Sequence, residues 1–396
     1  MDWKRLERKS EEGLFLRGGG CGNNSDLWGT VMKVKLGDVC ERSSSNIAQK
    51  DILNMEGEYP VYGAAGYIRN VDFYHQEKPY VAVVKDGAGI GRTMLLPEKS
   101  SVIGTLQYLL PKENVLPEYL YYVVKNMHLE KYFTGATIPH IYFKDYQNEE
   151  FTLAKIGEQR EIVATLKKIE KVIEYKMQEI ELLETLIKAR FVEMFGDPVN
   201  NEREWPTQTL DSVCKTIVDC PHSTPSYTIE NTGYMCIRTS IVKKNCIQWD
   251  KIEYISESEY YQRIQRKRPV KGDIVYTREG AILGIAATID RECNVALGQR
   301  SMLLSPNAAK CLPQFLSVAM NFDSFLKKAL RGISGSASPH INVGDIKAFA
   351  IILPPLKLQN RFASFVAQTD KLKVVIQKSL DETQLLFDSL MQEYFG

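Results

Sequence analysis

Residues 139–196 of this chain recur at 339–396. Adding 200 to the residue number carries Pro139-His140-Ile141 onto Pro339-His340-Ile341, Asp145 onto Asp345, Gln159 onto Gln359, Leu186 onto Leu386 and Phe195-Gly196 onto Phe395-Gly396. Any fold for this sequence must therefore use the same element twice. In the first copy, Leu166, Ile169, Ile173, Ile180, Leu183 and Ile187 recur at spacings of three and four, with one weak step at Lys176. That is the seam of a helix packed on another helix. Neither Pro nor Gly interrupts Glu158 to Phe195, and Gly196 with Pro198 beyond it is a helix stop. Such a helix is ~60 Å long at ~1.5 Å per residue, too long for the inside of one small domain. In the second copy Val366, Leu372, Ile376, Leu380, Leu386, Leu390 and Tyr394 supply the apolar stripe. Two equal helices, each without a partner in its own half, are expected to pair.

The repeat extends upstream. Met32-Lys-Val-Lys-Leu-Gly-Asp-Val-Cys-Glu matches Gln208-Thr-Leu-Asp-Ser-Val-Cys-Lys, and the turn Val84 to Gly91 matches Tyr276 to Gly284. The strand-like Gly104 to Pro111 matches Gly298 to Ser305. Leu116-Pro-Glu-Tyr-Leu120 matches Leu312-Pro-Gln-Phe-Leu316, each opening a helix with Pro in its first turn, where its missing N–H costs nothing. The second copy is longer by about two dozen residues, mainly between Cys214 and Gly280. The expected fold class is α+β: two mixed α/β domains in tandem, each followed by a long helix. The short linker from Gly196 to Trp205 forces the helices to run antiparallel. The domains are then expected at opposite ends of a rod with pseudo-two-fold symmetry. The boundaries expected are 32–155 and 199–355 for the domains, and 156–198 and 356–396 for the helices. Residues 1–31, charged and then Gly- and Asn-rich, have no counterpart and are expected to be a disordered extension preceding a folded unit that starts at Met32.

A net charge of +1 argues against a general polyanion binder, so any nucleic-acid contact must come from local patches. The apolar runs, such as Ala348 to Leu353, are too short for a membrane span, and the N-terminus has no apolar secretory core. The eight cysteines form no CxxC pair. They read as reduced thiols in a cytoplasmic protein. Cys220-Pro221-His222 has no second ligand pair at zinc spacing, so no metal is expected.

Asp86-Gly-Ala-Gly-Ile-Gly91, after the apolar run Tyr80 to Val84, could hold S-adenosylmethionine or a dinucleotide, or could be a tight turn. The second copy puts Ile282 where Gly89 stands, and the downstream helix and acidic residue are missing. The turn is the better reading. There is no Asn/Asp-Pro-Pro-Tyr tetrad for amino methylation, no phosphate loop of the GxxxxGK[ST] kind and no carboxylate–lysine cluster of a nuclease. His140 and His340 have no nucleophile near them in sequence, which favours a role in a turn over catalysis. No constellation supports catalysis by this chain alone. What remains is a set of basic and polar loop residues: Lys85, Arg92, Arg263, Arg266, Lys267, Arg268, Lys271, Arg278, Arg300, Lys327, Lys328 and Arg331. Such residues position phosphates and read base edges. Ordinary surface charge is the competing account of each.

Several stretches carry a family likeness: Pro60-Val-Tyr-Gly-Ala-Ala-Gly66, Asp219-Cys-Pro-His-Ser-Thr-Pro225, Gly272-Asp-Ile-Val-Tyr-Thr277, Leu297-Gly-Gln-Arg300 and the two helices ending in Phe-Gly. With them, Met32 to Gly396 resembles the specificity subunit of type I restriction–modification enzymes. Residues 1–31 depart from that pattern. The resemblance implies two target-recognition domains, each reading half of a split duplex-DNA site, with the helices setting the gap and binding two modification subunits. Those subunits would hold S-adenosylmethionine and methylate adenine N6. Restriction subunits would add ATP- and Mg2+-dependent translocation and cleavage, and this chain would carry no cofactor. On this reading Lys85, Arg92, His140, His222, Ser223, Thr224, Arg278, Arg300 and His340 are the candidate DNA contacts. Phe191, Met194, Phe195, Met391, Tyr394 and Phe395, clustered at the helix tips, are the candidate subunit-docking residues; a tip so apolar is expected to be covered by the adjacent globular domain, by another subunit, or by both. Two rivals stand beside it. One is a related specificity chain of a type II enzyme with a bipartite site. The other is a self-contained methyltransferase using the Asp86 to Gly91 loop.

Overall fold

The structure, a computed structural model, describes residues 32–135, 139–331 and 339–396. The extension expected to be disordered, residues 1–31, lies outside the described residues. The chain divides into two units, one of residues up to Val172 with Thr383–Gly396, the other Ile173–Glu382.

The first unit runs β1 (Met32–Lys35), α1 (Leu36–Val39), β2 (Cys40–Ser44), β3 (Tyr59–Gly63), β4 (Gly66–Val71), β5 (Tyr80–Val84), β6 (Thr93–Leu96), β7 (Ser101–Val102), β8 (Leu106–Pro111), α2 (Pro117–Asn126), α3 (Phe143–Tyr146), β9 (Glu150–Leu153) and the start of α4 (Ile156–Phe195). Its main sheet has the order β2-β8-β5-β6, and a smaller one β4-β3-β7. Every residue of β5 is buried, as its unbroken apolar run requires of a strand covered on both faces. Tyr80, Ala82 and Val84 share a core with Val61, Val71 and Val102. Successive side chains of a strand point to opposite faces, so Val81 and Val83 face the other way. The helix α2 packs on this strand. It opens with Pro at its first turn, as the sequence predicts.

The second unit takes the remainder of α4 and then β10 (Thr207–Thr209), α5 (Leu210–Val213), β11 (Cys214–Asp219), β12 (Met235–Ile237), β13 (Val242–Lys243), β14 (Cys246–Ile247), β15 (Glu253–Tyr254), α6 (Glu257–Arg263), β16 (Ile274–Thr277), β17 (Ala286–Thr288), β18 (Val295–Leu297), β19 (Ser301–Pro306), α7 (Pro313–Met320), α8 (Asp323–Ala329), α9 (Val343–Lys347), β20 (Ala350–Ile352) and most of α10 (Leu356–Phe395). Its sheets, β11-β19-β16-β17 and β15-β12-β18, repeat those of the first unit strand for strand. The hairpin β13-β14 and the helix α6 fall in the stretch by which this copy is longer.

Both long helices form over the expected residues. On α4 the seam residues are buried or half-buried while their flanks are exposed, and Lys176 occupies its seam position by donating from Nζ to Ser379 Oγ at 2.7 Å. Within the second unit Phe191 packs on Phe362, Arg190 over Phe365, and Glu184 meets Lys373 at 3.7 Å. Partner numbers rise as α4 numbers fall, so the two segments run antiparallel there. The stripe on α10 needs correcting. Leu372 and Leu386 are exposed, at 55% and 52%. Thr369, Lys373 and Thr383 take seam positions beside Val366, Ile376, Leu380 and Phe387.

One side chain joins each long helix to its globular part. Gln159 is wholly buried. Its Oε1 accepts from Leu116 N at 2.8 Å, and its Nε2 donates to Asn114 O and Ala154 O at 3.0 and 2.9 Å. Gln359 does the same in the second unit with Leu312 N, Lys310 O and Pro354 O, at 2.9, 3.1 and 2.8 Å. Leu116 and Leu312 cap the N-termini of α2 and α7. Each glutamine thus satisfies a helix-terminal donor that otherwise lacks a partner.

Candidate nucleic-acid interface

The glycine-rich stretch forms a hairpin between two strands of one sheet. Gly91 N donates to Val84 O at 2.9 Å and Val84 N to Arg92 O at 2.9 Å, which leads β5 directly into β6. Gly87, Gly89 and Gly91 have φ of +82°, +86° and +80°, the left-handed region that other residues avoid. A nucleotide-binding loop needs a helix to follow, whose N-terminal N–H groups hold the phosphates. Here a strand follows, so the methyltransferase alternative loses its structural basis.

The same clamp surrounds the residue after β5 and after β16. Lys85 N donates to Thr105 O, Ile141 N to Lys85 O and Gly87 N to Pro139 O, at 3.0, 2.9 and 3.0 Å. In the second unit Arg278 N donates to Arg300 O, Ile341 N to Arg278 O and Gly280 N to Pro339 O, at 3.1, 2.8 and 3.0 Å. The histidine loops are thereby tied to the strand ends. Gly104 and Gly298 also match, donating to Ile47 O and Ile237 O. The second copy then spends one more residue before its strand, and Arg300 absorbs it with a φ of +72°.

The side chains of the candidate contacts divide into two groups. Arg92 and Arg300 are exposed. Arg92 reaches Ala64 O at 2.8 Å from Nη1. Each lies across a left-handed glycine: a Cβ added to Gly89 would sit 3.4 Å from Arg92 Nη2, and one added to Gly280 3.5 Å from Arg300 Cδ. His222, Ser223, Thr224 and His340 are exposed as well. Thr224 Oγ1 donates to Gln299 Oε1 at 2.8 Å. Lys85 and His140 are half-buried around Asp86, His140 Nδ1 at 2.5 Å and Lys85 Nζ at 3.9 Å from its carboxylate.

Arg278 is different, and the expectation that it faces DNA is corrected. It is buried, 7% exposed. Its Nε and Nη2 donate to the two carboxylate oxygens of Asp219 at 2.9 and 3.0 Å, and its Nη1 to Ile341 O at 3.4 Å. A guanidinium held in a bidentate pair has no free edge for a base. It fixes instead the start of the 219–225 loop, where His222 Nε2 lies 3.2 Å from Asp219 Oδ2. Cys220 is buried between β11 and β19. Burial pushes its thiol above the ordinary value despite the Ser301 N–H that points at its sulfur, which leaves it a packing group. Sequence reasoning missed Asp219, Asp86 and Gln299 as partners. Asp219 stood in a quoted stretch, but nothing there named its distant arginine.

At the helix tips the cover comes from the adjacent globular part, and the docking role expected of the buried residues there is corrected. Phe191 and Phe195 are wholly buried in the core of the second unit; Phe191 stacks on Phe315, and Phe191 with Phe362 and Phe195 with both Phe315 and Phe362 meet edge to face. Met194 is partly buried against that core. In the first unit Phe395 packs on Tyr119, and Met391 is buried. Tyr394 is half-buried. Phe191, Phe195, Met391 and Phe395 are thus covered by their own globular parts and are not free to meet a subunit. The exposed apolar surface lies elsewhere on the helices. Val172, Tyr175, Leu182 and Leu186 on α4, and Leu372, Val375 and Leu386 on α10, are exposed. With exposures that run from 42% at Val172 to 65% at Leu182 and Val375, they form one outer stripe per helix, each residue one position before a seam residue.

Among the described residues no helix is long and apolar enough to cross a membrane, and no group of His, Cys, Asp and Glu could hold a metal ion.

Comparison with known proteins matches residues 29–185 and 202–383 to the type I restriction modification DNA specificity domain, twice over. The chain is 24% identical over 313 residues to the type I restriction enzyme MjaIX specificity subunit of Methanocaldococcus jannaschii, covering 72% of this chain and 69% of that one. It is 23% identical over 358 residues to the MjaVIII specificity subunit of the same organism, covering 83% of each. The crystal structure of the type I restriction-modification S subunit from M. genitalium shares the fold, with a TM-score of 0.56 and 16% identity over 95% of this chain and 98% of that one.

Proposed function

This chain belongs to the type I restriction–modification DNA specificity family, and from that premise we propose that each of its two globular parts reads one half of a bipartite duplex target. It is a DNA-binding, non-catalytic specificity subunit. The observation that carries the two-reader reading is the repetition of one clamp, with Lys85 and Arg278 at equivalent backbone positions and an exposed arginine beside each. The readers are the parts within 32–155 and 199–355. Their contacts are Arg92 and the Lys85–His140 cluster in one, and Arg300, His340 and the 222–224 loop in the other. Arg278 supports that loop from behind. The long helices set the gap between the half-sites.

The partners in this proposal are two modification subunits, with restriction subunits joining them. S-adenosylmethionine, ATP and Mg2+ reside on those partners, and the complex works in the cytoplasm. The outer helix stripes, one on each helix, suit a partner present in two copies. Exposed apolar surface that recurs with the repeat marks a site of association. The test is the methylation motif in DNA from cells carrying the complete system. Two short specific runs separated by a fixed unspecified gap are expected. A single continuous motif would refute the proposal.

A further inference from the structure

Arg263 closes α6 with a charged side chain that is only 3% exposed. Its Nη2 donates to Ser223 O at 2.7 Å and approaches Ser223 Oγ at 3.3 Å. Its Nη1 donates to Leu297 O at 3.3 Å, and Glu259 Oε1 stands 3.4 Å from both Nε and Nη2. One planar group thus ties α6 to the 219–225 loop and to the end of β18. Arg266 adds a bond from Nη1 to Asp219 O at 3.3 Å, at the start of the same loop.

Burying a guanidinium is costly unless its donors are satisfied, and a well-packed apolar side chain often replaces such a group without loss of stability. A purely structural tie therefore explains Arg263 poorly. Its bonds go to the backbone of a loop whose outward side chains, His222, Ser223 and Thr224, are polar and exposed. A fork with several fixed donors sets the orientation of that backbone as well as its position. Among the described residues the first unit has no counterpart of α6. There the residue after the equivalent strand, Ser45, is buried and its Oγ accepts from Ile47 N at 3.2 Å.

We infer that Arg263 is a positioning residue for recognition by the second unit: it fixes the 219–225 loop so that residues 222–224 meet a defined set of base edges. The inference rests on the reading of that loop as a DNA contact. Its test uses the chain assembled with its modification subunits. Binding is measured to a panel of duplexes in which each base pair of the target is varied singly. Arg263→Lys keeps the charge and removes the fork. It should lower discrimination at least tenfold at base pairs of one half-site only, the same half that Arg300→Ala affects. Glu259→Gln, which loosens the fork from outside, should cause a smaller loss in that half, and it decides the matter if Arg263→Lys does not fold. Unchanged discrimination in both halves, or equal loss in both, overturns the inference. A wild-type complex with no preference for a split site overturns the DNA reading beneath it, and the inference with it.

Discussion

Asp219 accepts both arms of the Arg278 guanidinium, at 2.9 and 3.0 Å, across 59 residues of chain. The pair joins the end of β11 to the end of β16 beneath the exposed 222–224 segment. Both side chains are largely covered, at 9% and 17% exposure. Removing one partner of such a pair strands the other. Arg278→Ala alone is expected to cost about 3 kcal/mol, and Arg278→Ala with Asp219→Ala less than the sum of the two single changes. Urea denaturation of the four proteins in that cycle measures the coupling. Additive losses would show that the pair does not act as a unit.

Among the described residues neither Arg300 nor Arg92 pairs with a carboxylate, so their removal should be felt by DNA and hardly by the fold. Arg300→Ala and Arg92→Ala are each expected to weaken specific binding by ~1–3 kcal/mol if they read bases. Titration against specific and random duplexes separates the roles. Equal loss on both would make the arginine a phosphate contact.

The burial of the tip aromatics and the exposure of the outer stripe set the outcome of two mutations. Phe195→Ala opens a hole in a close-packed aromatic cluster and should destabilise the chain by about 3–5 kcal/mol. Leu182→Glu with Leu372→Glu alters only exposed positions. Its melting temperature should stay near that of wild type while the complex with modification subunits is lost on size-exclusion chromatography. An intact complex would remove the outer stripe from the docking surface.

Gln159→Leu leaves Leu116 N and two carbonyls without their buried partner. A stranded buried polar group costs about 1–3 kcal/mol. The same change at Gln359 should give a similar loss. Hydrogen exchange at Leu116 and Leu312 reads each site separately, and each mutant should accelerate only its own amide.

If the helices act as a spacer, their length and the gap are linked. One heptad inserted near Glu179 and another near Ser379 keeps the seam in phase and adds ~10 Å at ~1.5 Å per residue. That corresponds to ~3 base pairs of duplex at ~3.4 Å each. The half-site bases should stay the same while the preferred gap lengthens. Binding should weaken as well, because the added pairs also rotate one half-site. Methylation mapping with the mutant decides. New half-site bases with the old gap would refute the spacer role.

The helix over Ile156–Phe195 was legible because an apolar seam at alternating three and four spacing has one simple explanation. Its repeat was harder, since α10 carries two stripes. Leu372 and Leu386 belong to the exposed one, whereas Lys373 and Thr383 hold seam places through polar contacts. Hydrophobicity alone ranks these positions the wrong way round. Phe191 and Phe195 show the same limit: a cluster of aromatic residues at a helix end reads equally as a core or as a docking surface until the covering domain is placed. Arg278 looked like a free cation because its carboxylate lies far away in sequence. The glycine hairpin was read correctly because the second copy varies where a cofactor loop could not.

The bonds of Gln159 have a mechanical consequence. Its amide joins the first turn of α4 to the N-terminus of α2 and to the end of β9, so the place where a pivot would be natural has been locked. A displacement of α2 finds no slack at this joint, and the first turn of α4 moves with it. Gln159 and Gln359 are therefore bolts, each fixing the first turn of a long helix to the part that precedes it.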